Sequence, residues 1–423
     1  MTIAAAPERI ALPNGVRLAL DPMPGLETAA LGVWVRVGAR WEAAAHNGVA
    51  HLFEHMAFKG AGGRDALAFA EAIENVGGYL NAATSYERTS YTARVTAEHA
   101  PFALDLLADM IRDPHWRGDD LEKEKDVVAQ ERGEAFDQPD DRVFELHQAA
   151  LFPDHPLGRP ILGEAETVAA VDVETLRAFR DAHTTPARVV VCIAGGYDRA
   201  AVADTVSRRF GDLPAGPMIA AAPARPVAGE AVEARKLEQT HLVFSAPAPA
   251  AGHDDAPAAW IFSEIFGGGM ASRLFQDVRE TRGLAYAIHS WLDVYEDAGR
   301  VGVYAGCAAR HARTVAHCVA DAFEALARDG PTDSELKRAK AVVSAQTLMG
   351  AEAPLARAEA RAAQVFLRDR IVPFAEIRAR IAAVTADDVR AIAAGAMAGP
   401  VAAAAVGPRT GLGAPGAFRA RFG

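Results

Sequence analysis

The chain of 423 residues carries 44 Lys and Arg against 55 Asp and Glu, which gives a formal net charge of −11. This acidic balance argues against a nucleic-acid partner, because neutralising phosphates requires a basic surface. With about 100–200 residues to a domain, the length predicts two or more domains.

No targeting or membrane segment is evident in the sequence. The N-terminus lacks a basic stretch followed by a continuous apolar one, and nowhere do about 18 apolar residues follow one another without a charge or a breaker. Cys192, Cys307 and Cys318 are widely spaced and form no CxxC pair, which is typical of small buried residues in a reducing compartment. We therefore expect a cytoplasmic protein that does not insert into membranes.

The first segment that points to chemistry is HLFEH, residues 51–55. On an α-helix, His51 and His55 lie four positions apart on one face and can share a zinc ion. Glu54 projects from the same side, where a base that activates water belongs, and Asn47 is a suitable N-cap. Because the chain has 13 histidines, an incidental pair on a surface helix is the alternative. The choice depends on a third ligand.

Further along the chain, YLNAATSYERTSYTARV alternates like a pair of strands and EHAPFALDLLADMIRD is an amphipathic helix. Another helix is predicted over residues 119–136. In it Glu124 and Glu131 lie seven positions apart on one face, and Glu134 is a rival to Glu131 as a third ligand. Acidic residues on solvated helices are common, so their charge alone selects none of them.

The second half of the chain repeats the order of elements in the first half. Aligning the Val-Val pairs of the two halves puts Ala339 and Gln346 at the positions of Glu124 and Glu131. The carboxylates therefore belong only to the half that carries the two histidines, which favours a metal site over an incidental pair.

We predict an α+β fold of two domains with similar topology, each an antiparallel sheet covered by helices. Residues 1–212 form the N-terminal metal-binding domain, residues 213–230 a linker rich in proline and glycine, and residues 231–423 a C-terminal domain without metal. The three glycines at 267–269 lack the GxGxxG spacing and a lysine, so they predict a hinge or turn rather than a phosphate loop.

Together these motifs resemble those of the M16 family of metallopeptidases. HLFEH, EKEKDVVAQE around the two glutamates, GRPILGE and GGGMASRLFQDVRETRGLAYAIHS are all similar to sequences of that family. The resemblance spans essentially the whole chain, including the repeat. The length is similar to that of half-size members such as the β-subunit of the mitochondrial processing peptidase. The resemblance implies that the two domains form half of a clamshell chamber.

Residue by residue, the resemblance implies one zinc ion per chain, held by His51, His55 and Glu131. Glu54 would act as general base toward the attacking water, and Glu124 would orient a ligand histidine. Three protein ligands leave one coordination position open, as catalytic zinc sites require.

The resemblance also implies two contacts with substrate. Arg279 and Tyr286, in RETRGLAY, match a pair of the C-terminal domain that reaches the substrate or the developing oxyanion. Asn81, Ala82 and Ala83 match an edge strand on which a peptide lies as an added β-strand. If the resemblance is set aside, surface packing is enough to explain Arg279 and Tyr286, and an ordinary strand is enough to explain Asn81, Ala82 and Ala83.

The expected function is that of a zinc endopeptidase that cuts short unfolded peptides, in processing or in degradation. The alternative is a non-catalytic partner subunit of a heterodimeric processing peptidase or of a respiratory-complex core; the intact motif residues favour the enzyme. A small-molecule hydrolase would explain neither the repeat nor the second-half motif. Because family members enclose peptides with four such domains, we expect a homodimer, with a heterodimer also open.

Overall fold

The structure is a computed structural model that describes residues 6–216 and 218–422. Its strands are β1 (Glu8–Ala11), β2 (Arg17–Pro22), β3 (Thr28–Val35), β4 (Gly60–Ala61), β5 (Arg64–Asp65), β6 (Tyr79–Thr84), β7 (Thr89–Thr96), β8 (Val189–Gly195), β9 (Gly229–Ala234), β10 (Gln239–Ala248), β11 (Ala285–Val294), β12 (Gly299–Ala308) and β13 (Ala402–Gly407).

The helices of the first half are α1 (Val49–Met56), α2 (Ala66–Glu74), α3 (Ala100–Arg112), α4 (Gly118–Asp137), α5 (Pro139–Leu151), α6 (Ala165–Ala170), α7 (Val173–His183) and α8 (Arg199–Phe210). Those of the second half are α9 (Ala256–Ser263), α10 (Ala312–Asp329), α11 (Asp333–Glu352), α12 (Pro354–Arg368), α13 (Phe374–Ala383), α14 (Ala386–Ala398) and α15 (Ala414–Arg419). Two segments are π-helical, Glu264–Gly268 and Phe275–Thr281.

Two main sheets form the framework, which confirms the predicted α+β class. The first has the strand order β1-β2-β8-β3-β7-β6 and the second the order β11-β12-β10-β13-β9. Each is antiparallel except for one parallel pair, β2 with β8 and β9 with β13. Parallel neighbours require a long crossover connection, and β2 and β8 are accordingly separated by most of the first half.

The chain divides into two compact units that are not continuous in sequence. The first comprises residues up to 132, 160–222 and 349–372, and the second comprises 133–159, 223–348 and the residues from 373 onward. This division differs from the linear one predicted at residues 213–230. The reason is that two helices change places, α5 packing on the second sheet and α12 on the first.

Each sheet of the framework is therefore covered on both faces. On the first sheet, α1 and α3 belong to one large apolar cluster, while Ala358, Ala362 and Val365 of α12 pack against Trp34 and Val190 on the opposite face. The alanines of α12 allow its backbone to approach the sheet closely. Burying both faces explains why strands such as β8 are apolar at every position.

A buried carboxylate holds α12 on the first sheet. Asp21, in β2, is fully buried and accepts hydrogen bonds from Arg357 and from Arg361, whose Nε lies 2.7 Å from Oδ2. At the equivalent place in the second unit, Arg142 of α5 pairs with Glu233 of β9 at 2.9 Å. An ionic contact between the exchanged helix and the sheet is thus repeated in both units.

The repeat predicted from the sequence is present in the helices. Helices α4 and α11 each span 20 residues. Along the chain, the start of α4 precedes the start of α11 by the same number of residues as the start of α5, at Pro139, precedes that of α12, at Pro354. Val128 and Val343, which the alignment pairs, are both buried.

The three cysteines are buried and unpaired, as the sequence predicted. Among the helices of the described residues, none has both the length and the apolar character needed to cross a bilayer.

Candidate metal centre

Helix α1, which carries the HLFEH motif, is capped by a carboxylate from outside the motif. Glu42 is buried and accepts hydrogen bonds from the backbone amides of Gly48 and Ala50 at 2.9 and 2.8 Å. The prediction that Asn47 caps this helix is wrong: Asn47 donates its side-chain amide to Glu42, 2.8 Å away, and the N-cap position falls on Gly48. A buried carboxylate satisfies the free amides and interacts favourably with the helix dipole.

The segment GRPILGE packs against the start of α1. Gly48 has a φ of +97° and Gly163 a φ of +77°, and a Cβ on Gly163 would lie 2.5 Å from the carbonyl oxygen of Asn47. The Asn47 side chain also donates to the carbonyl of Pro160 at 3.0 Å. These contacts fix where α1 begins, and therefore the direction in which its histidines point.

The structure brings the two histidines of α1 and Glu131 of α4 together. The ligand atoms of His51, His55 and Glu131 all lie within 4.8 Å of one another. His51 Nε2 is 3.8 Å and His55 Nε2 is 3.5 Å from Glu131 Oε2. Among the residues that the structure describes, no other group of His, Cys, Asp and Glu is arranged in this way, and the exposed Glu134 is not part of it.

The donor set and its electrostatics fit a zinc ion. Glu124 Oε2 lies 3.0 Å from His55 Nδ1, so the Nδ1–H can donate to it and leave the Nε2 lone pair facing Glu131. Burial, together with the neighbouring His55, lowers the pKa of His51 to about 4, so at neutral pH its imidazole is uncharged. Two imidazoles and one carboxylate are a common set of ligands for catalytic zinc.

Lys59 also contacts the residues of the candidate site, and the sequence did not predict this. Its ammonium nitrogen lies 2.5 Å from Glu124 Oε1, so the buried carboxylate bridges Lys59 and His55. The signal was available in the motif itself, since Lys59 follows His55 by four positions in HLFEHMAFKG. What the sequence lacked was the position of Glu124, which comes from a helix 69 residues further on.

Glu54 lies beside the three candidate ligands and contacts the end of β6. Thr84 Oγ1 donates a hydrogen bond of 2.5 Å to Glu54 Oε2. Burial raises the pKa of Glu54, although the hydrogen bond from Thr84 and the neighbouring His55 oppose this rise. A carboxylate with a raised pKa is a stronger base than an exposed one.

The predicted substrate strand lies at the edge of the first sheet. Among the described residues, β6 pairs only with β7, with Asn81 opposite Thr92 and Ala83 opposite Ser90. Asn81 and Ala83 are exposed, and Ala82 is half-buried on the face that carries α1. One edge of this strand is therefore open to a further strand.

The predicted Arg/Tyr pair belongs to the second unit. Arg279 lies in the π-helical segment and Tyr286 in β11; the guanidinium carbon is 4.9 Å from the centroid of the Tyr286 ring. The ring of Phe275 is 4.7 Å away from the same carbon. Tyr286 is 77% exposed. The pair therefore presents an aromatic ring and a cation to solvent, a combination suited to contacting a ligand.

Comparison with known proteins adds the family context. Residues 17–165 match the model of the insulinase family, peptidase family M16, and residues 170–343 match the model of the peptidase M16 inactive domain. An uncharacterized zinc protease of Mycobacterium tuberculosis is 38% identical over 355 residues, which is 82% of this chain and 81% of that protein. An uncharacterized zinc protease of Bacillus subtilis is 36% identical over 346 residues, 82% and 84% of the two chains.

The fold is shared with solved structures at lower identity. The crystal structure of a peptidase M16 inactive domain from Pseudomonas fluorescens superimposes with a TM-score of 0.87 at 21% identity, covering 96% of this chain and 98% of that chain. The crystal structure of a protease from Helicobacter pylori gives a TM-score of 0.87 at 19% identity, covering 96% and 100%.

Replacing Glu131 tests the choice of the third ligand. We expect Glu131→Gln to lower the zinc content of the purified protein and to abolish any peptide cleavage, because an amide is a poor ligand. Glu134→Gln is the matched control three residues away and should retain zinc. Metal analysis by mass spectrometry distinguishes the two. Full zinc in the first variant with loss in the second would mean that Glu134 is the ligand.

Replacing Lys59 tests whether it supports the site through Glu124. We expect Lys59→Met to weaken zinc binding about 10–100-fold, the usual effect of removing an outer partner of a metal ligand. Lys59→Arg should restore most of the affinity, and the exposed Lys123→Met should leave it unchanged. Competition with a chromophoric chelator measures the affinity. Equal zinc affinity in Lys59→Met and wild type would contradict this role.

Proposed function

Because the chain belongs to the M16 family of peptidases, the insulinase family, we propose that it is a zinc-dependent endopeptidase that hydrolyses short unfolded peptides. The observation that carries the proposal is the convergence of His51, His55 and Glu131 within 4.8 Å, with Glu54 on the same helix as the two histidines. The relatives named zinc proteases support the same chemistry.

In this proposal His51, His55 and Glu131 hold one zinc ion, which supplies Lewis acidity toward the peptide carbonyl and the attacking water. Glu54 accepts the proton of that water and delivers it to the leaving amine. Thr84 holds one oxygen of Glu54 through its hydrogen bond, so the carboxylate keeps a fixed orientation. Burial of Glu54 favours proton uptake, because the charged form is poorly solvated.

The substrate is proposed to lie along β6 as an added strand. Thr84, the last residue of β6, contacts the general base, so a peptide paired with Asn81–Ala83 would pass directly beside Glu54. Strand addition relies on main-chain hydrogen bonds and requires an extended chain, which favours unfolded peptides over folded proteins. The small side chains of Ala82 and Ala83 would allow the two backbones to come close.

A non-catalytic partner subunit is the alternative function. The second family model, described as an inactive domain, matches residues 170–343. This range contains none of the candidate ligands. In the first half, the motif residues that the chemistry needs are all present. Incubating the purified chain alone with a mixture of peptides, and mapping the cuts by mass spectrometry, separates an enzyme from a subunit that needs a partner.

Glu54→Gln tests the assignment of the general base. The variant should keep its zinc and still bind peptide, because Glu54 is outside the ligand set, but kcat should fall by about 10³-fold or more, since the amide cannot accept the proton. Zinc content, peptide binding and turnover are measured on the same preparation. Turnover near that of wild type would rule out Glu54 as the base.

Mixing two inactive variants tests the proposed homodimer, in which Arg279 and Tyr286 of one protomer serve the zinc site of the other. Glu54→Gln and Arg279→Ala proteins should each be nearly inactive, and mixed dimers should recover activity at one of their two sites. The measurement is peptide turnover after subunit exchange, with exchange followed by mass. Absence of recovery despite exchange would exclude sharing between protomers, and a fully active monomer would exclude the dimer.

A further inference from the structure

The second unit has a groove between the helices that correspond to those of the candidate metal centre in the first unit. Helices α9 and α11 correspond to α1 and α4, and Gln346 stands at the repeat position of Glu131. The α9 sequence, APAAWIFS, contains no histidine, so this groove lacks the zinc ligands. It nevertheless contains a cavity of about 390 Å³.

The cavity is lined by one carboxylate, one large aromatic ring and several neutral hydrogen-bonding groups. The lining residues used below are Trp260, Ser263, Glu264, Gly268, Ser290 and Gln346. The two serines are already linked, with Ser263 Oγ 3.1 Å from Ser290 Oγ and Ser290 donating to the Ser263 carbonyl at 2.8 Å. The charge of the cavity therefore comes from Glu264.

Glu264 is a half-buried carboxylate for which the described part of the chain provides no hydrogen-bond or ion-pair partner. Burial raises its pKa, an effect that the more distant Arg338 only partly offsets. A carboxylate that loses solvent without gaining a partner is unfavourable. A cationic ligand would remove this cost by supplying the missing partner.

Two of the three consecutive glycines, which the predicted peptidase does not use, lie against this carboxylate. A Cβ on Gly268 would lie 2.6 Å from Glu264 Oε2, and one on Gly269 would lie 3.0 Å from Oε1. A Cβ on Gly267 would lie 2.8 Å from the amide nitrogen of Ser290. The segment Glu264–Gly268 is also π-helical, a conformation that is rare and concentrated at functional sites. The lack of side chains at Gly268 and Gly269 thus leaves room for the carboxylate.

Trp260 supplies the second element of a cation site. It lies four residues before Glu264, so both side chains project from the same side of the helix. Although tryptophan is usually covered, Trp260 remains 40% exposed at the cavity. An aromatic face beside a carboxylate is the arrangement that binds ammonium and guanidinium groups, through cation–π attraction and charge-assisted hydrogen bonds.

We propose that the cavity between α9, α11 and β11 binds an organic cation, the guanidinium or ammonium group of a basic peptide, with Glu264 as the counter-ion and Trp260 as the stacking surface. A metal ion is the wrong occupant, because the cavity offers a single carboxylate and no imidazole or thiolate. The proposal concerns binding alone, so it holds or fails independently of the proposed peptidase activity.

The experiment measures binding of small cations to the full chain by calorimetry. The probes are Nα-acetylargininamide and Nα-acetyllysinamide, with Nα-acetylcitrullinamide as the neutral isostere of the first and glycinamide as a free terminal amine. We expect the cationic probes to bind at least tenfold more tightly than the citrulline compound, with binding weakened by added salt. The glycinamide arm shows whether a peptide terminus or a side chain is the preferred source of the cation.

Three variants at the cavity and one control variant connect the binding to the cavity. Glu264→Gln and Trp260→Leu should each weaken binding of the arginine probe at least tenfold, while Glu359→Gln, an exposed carboxylate of the first unit, should leave it unchanged. Gly268→Ala should also weaken binding, because the added methyl group displaces the Glu264 carboxylate. Circular dichroism confirms that each variant is folded. Equal binding of the arginine and citrulline probes, or wild-type affinity in folded Glu264→Gln, would overturn the proposal.

Discussion

The candidate metal centre depends on the contacts that the buried carboxylate of Glu124 makes. Glu124 comes from α4, and its two oxygens contact His55 and Lys59 on and just beyond α1. A carboxylate so little exposed to water is strongly unfavourable unless both of its oxygens are matched by partners. Its position therefore fixes α1 against α4, and this in turn brings Glu131 to the two histidines.

Partial burial shifts the pKa values of two residues of the candidate site in opposite directions. Removal from water disfavours charge, so it lowers the pKa of His51 and raises the pKa of Glu54. A neutral imidazole offers a lone pair to a metal, and a carboxylate that accepts a proton readily is suited to general base catalysis. The same environment thus suits both the ligand role proposed for His51 and the base role proposed for Glu54.

The two units combine a similar framework with different side chains in corresponding regions. Both retain a sheet with one parallel pair and an exchanged helix held by an ionic contact. Between α1 and α4 the first unit has the three candidate metal ligands, and between α9 and α11 the second has Glu264 and an exposed tryptophan. Buried positions of the framework such as Val128 and Val343 are kept, while the side chains of the two regions differ in chemistry.

The sequence by itself determined the local features: the helical spacing of His51 and His55, the helix that carries Glu131, the repeat and the family resemblance. These follow from periodicity and motif, which act within a few residues of the chain. Only the tertiary structure decided that Glu42 rather than Asn47 caps α1, and that α5 and α12 exchange sheets. Those outcomes depend on which distant segments pack together, and the order of strands in a sheet, which sets this packing, is not encoded in any local pattern.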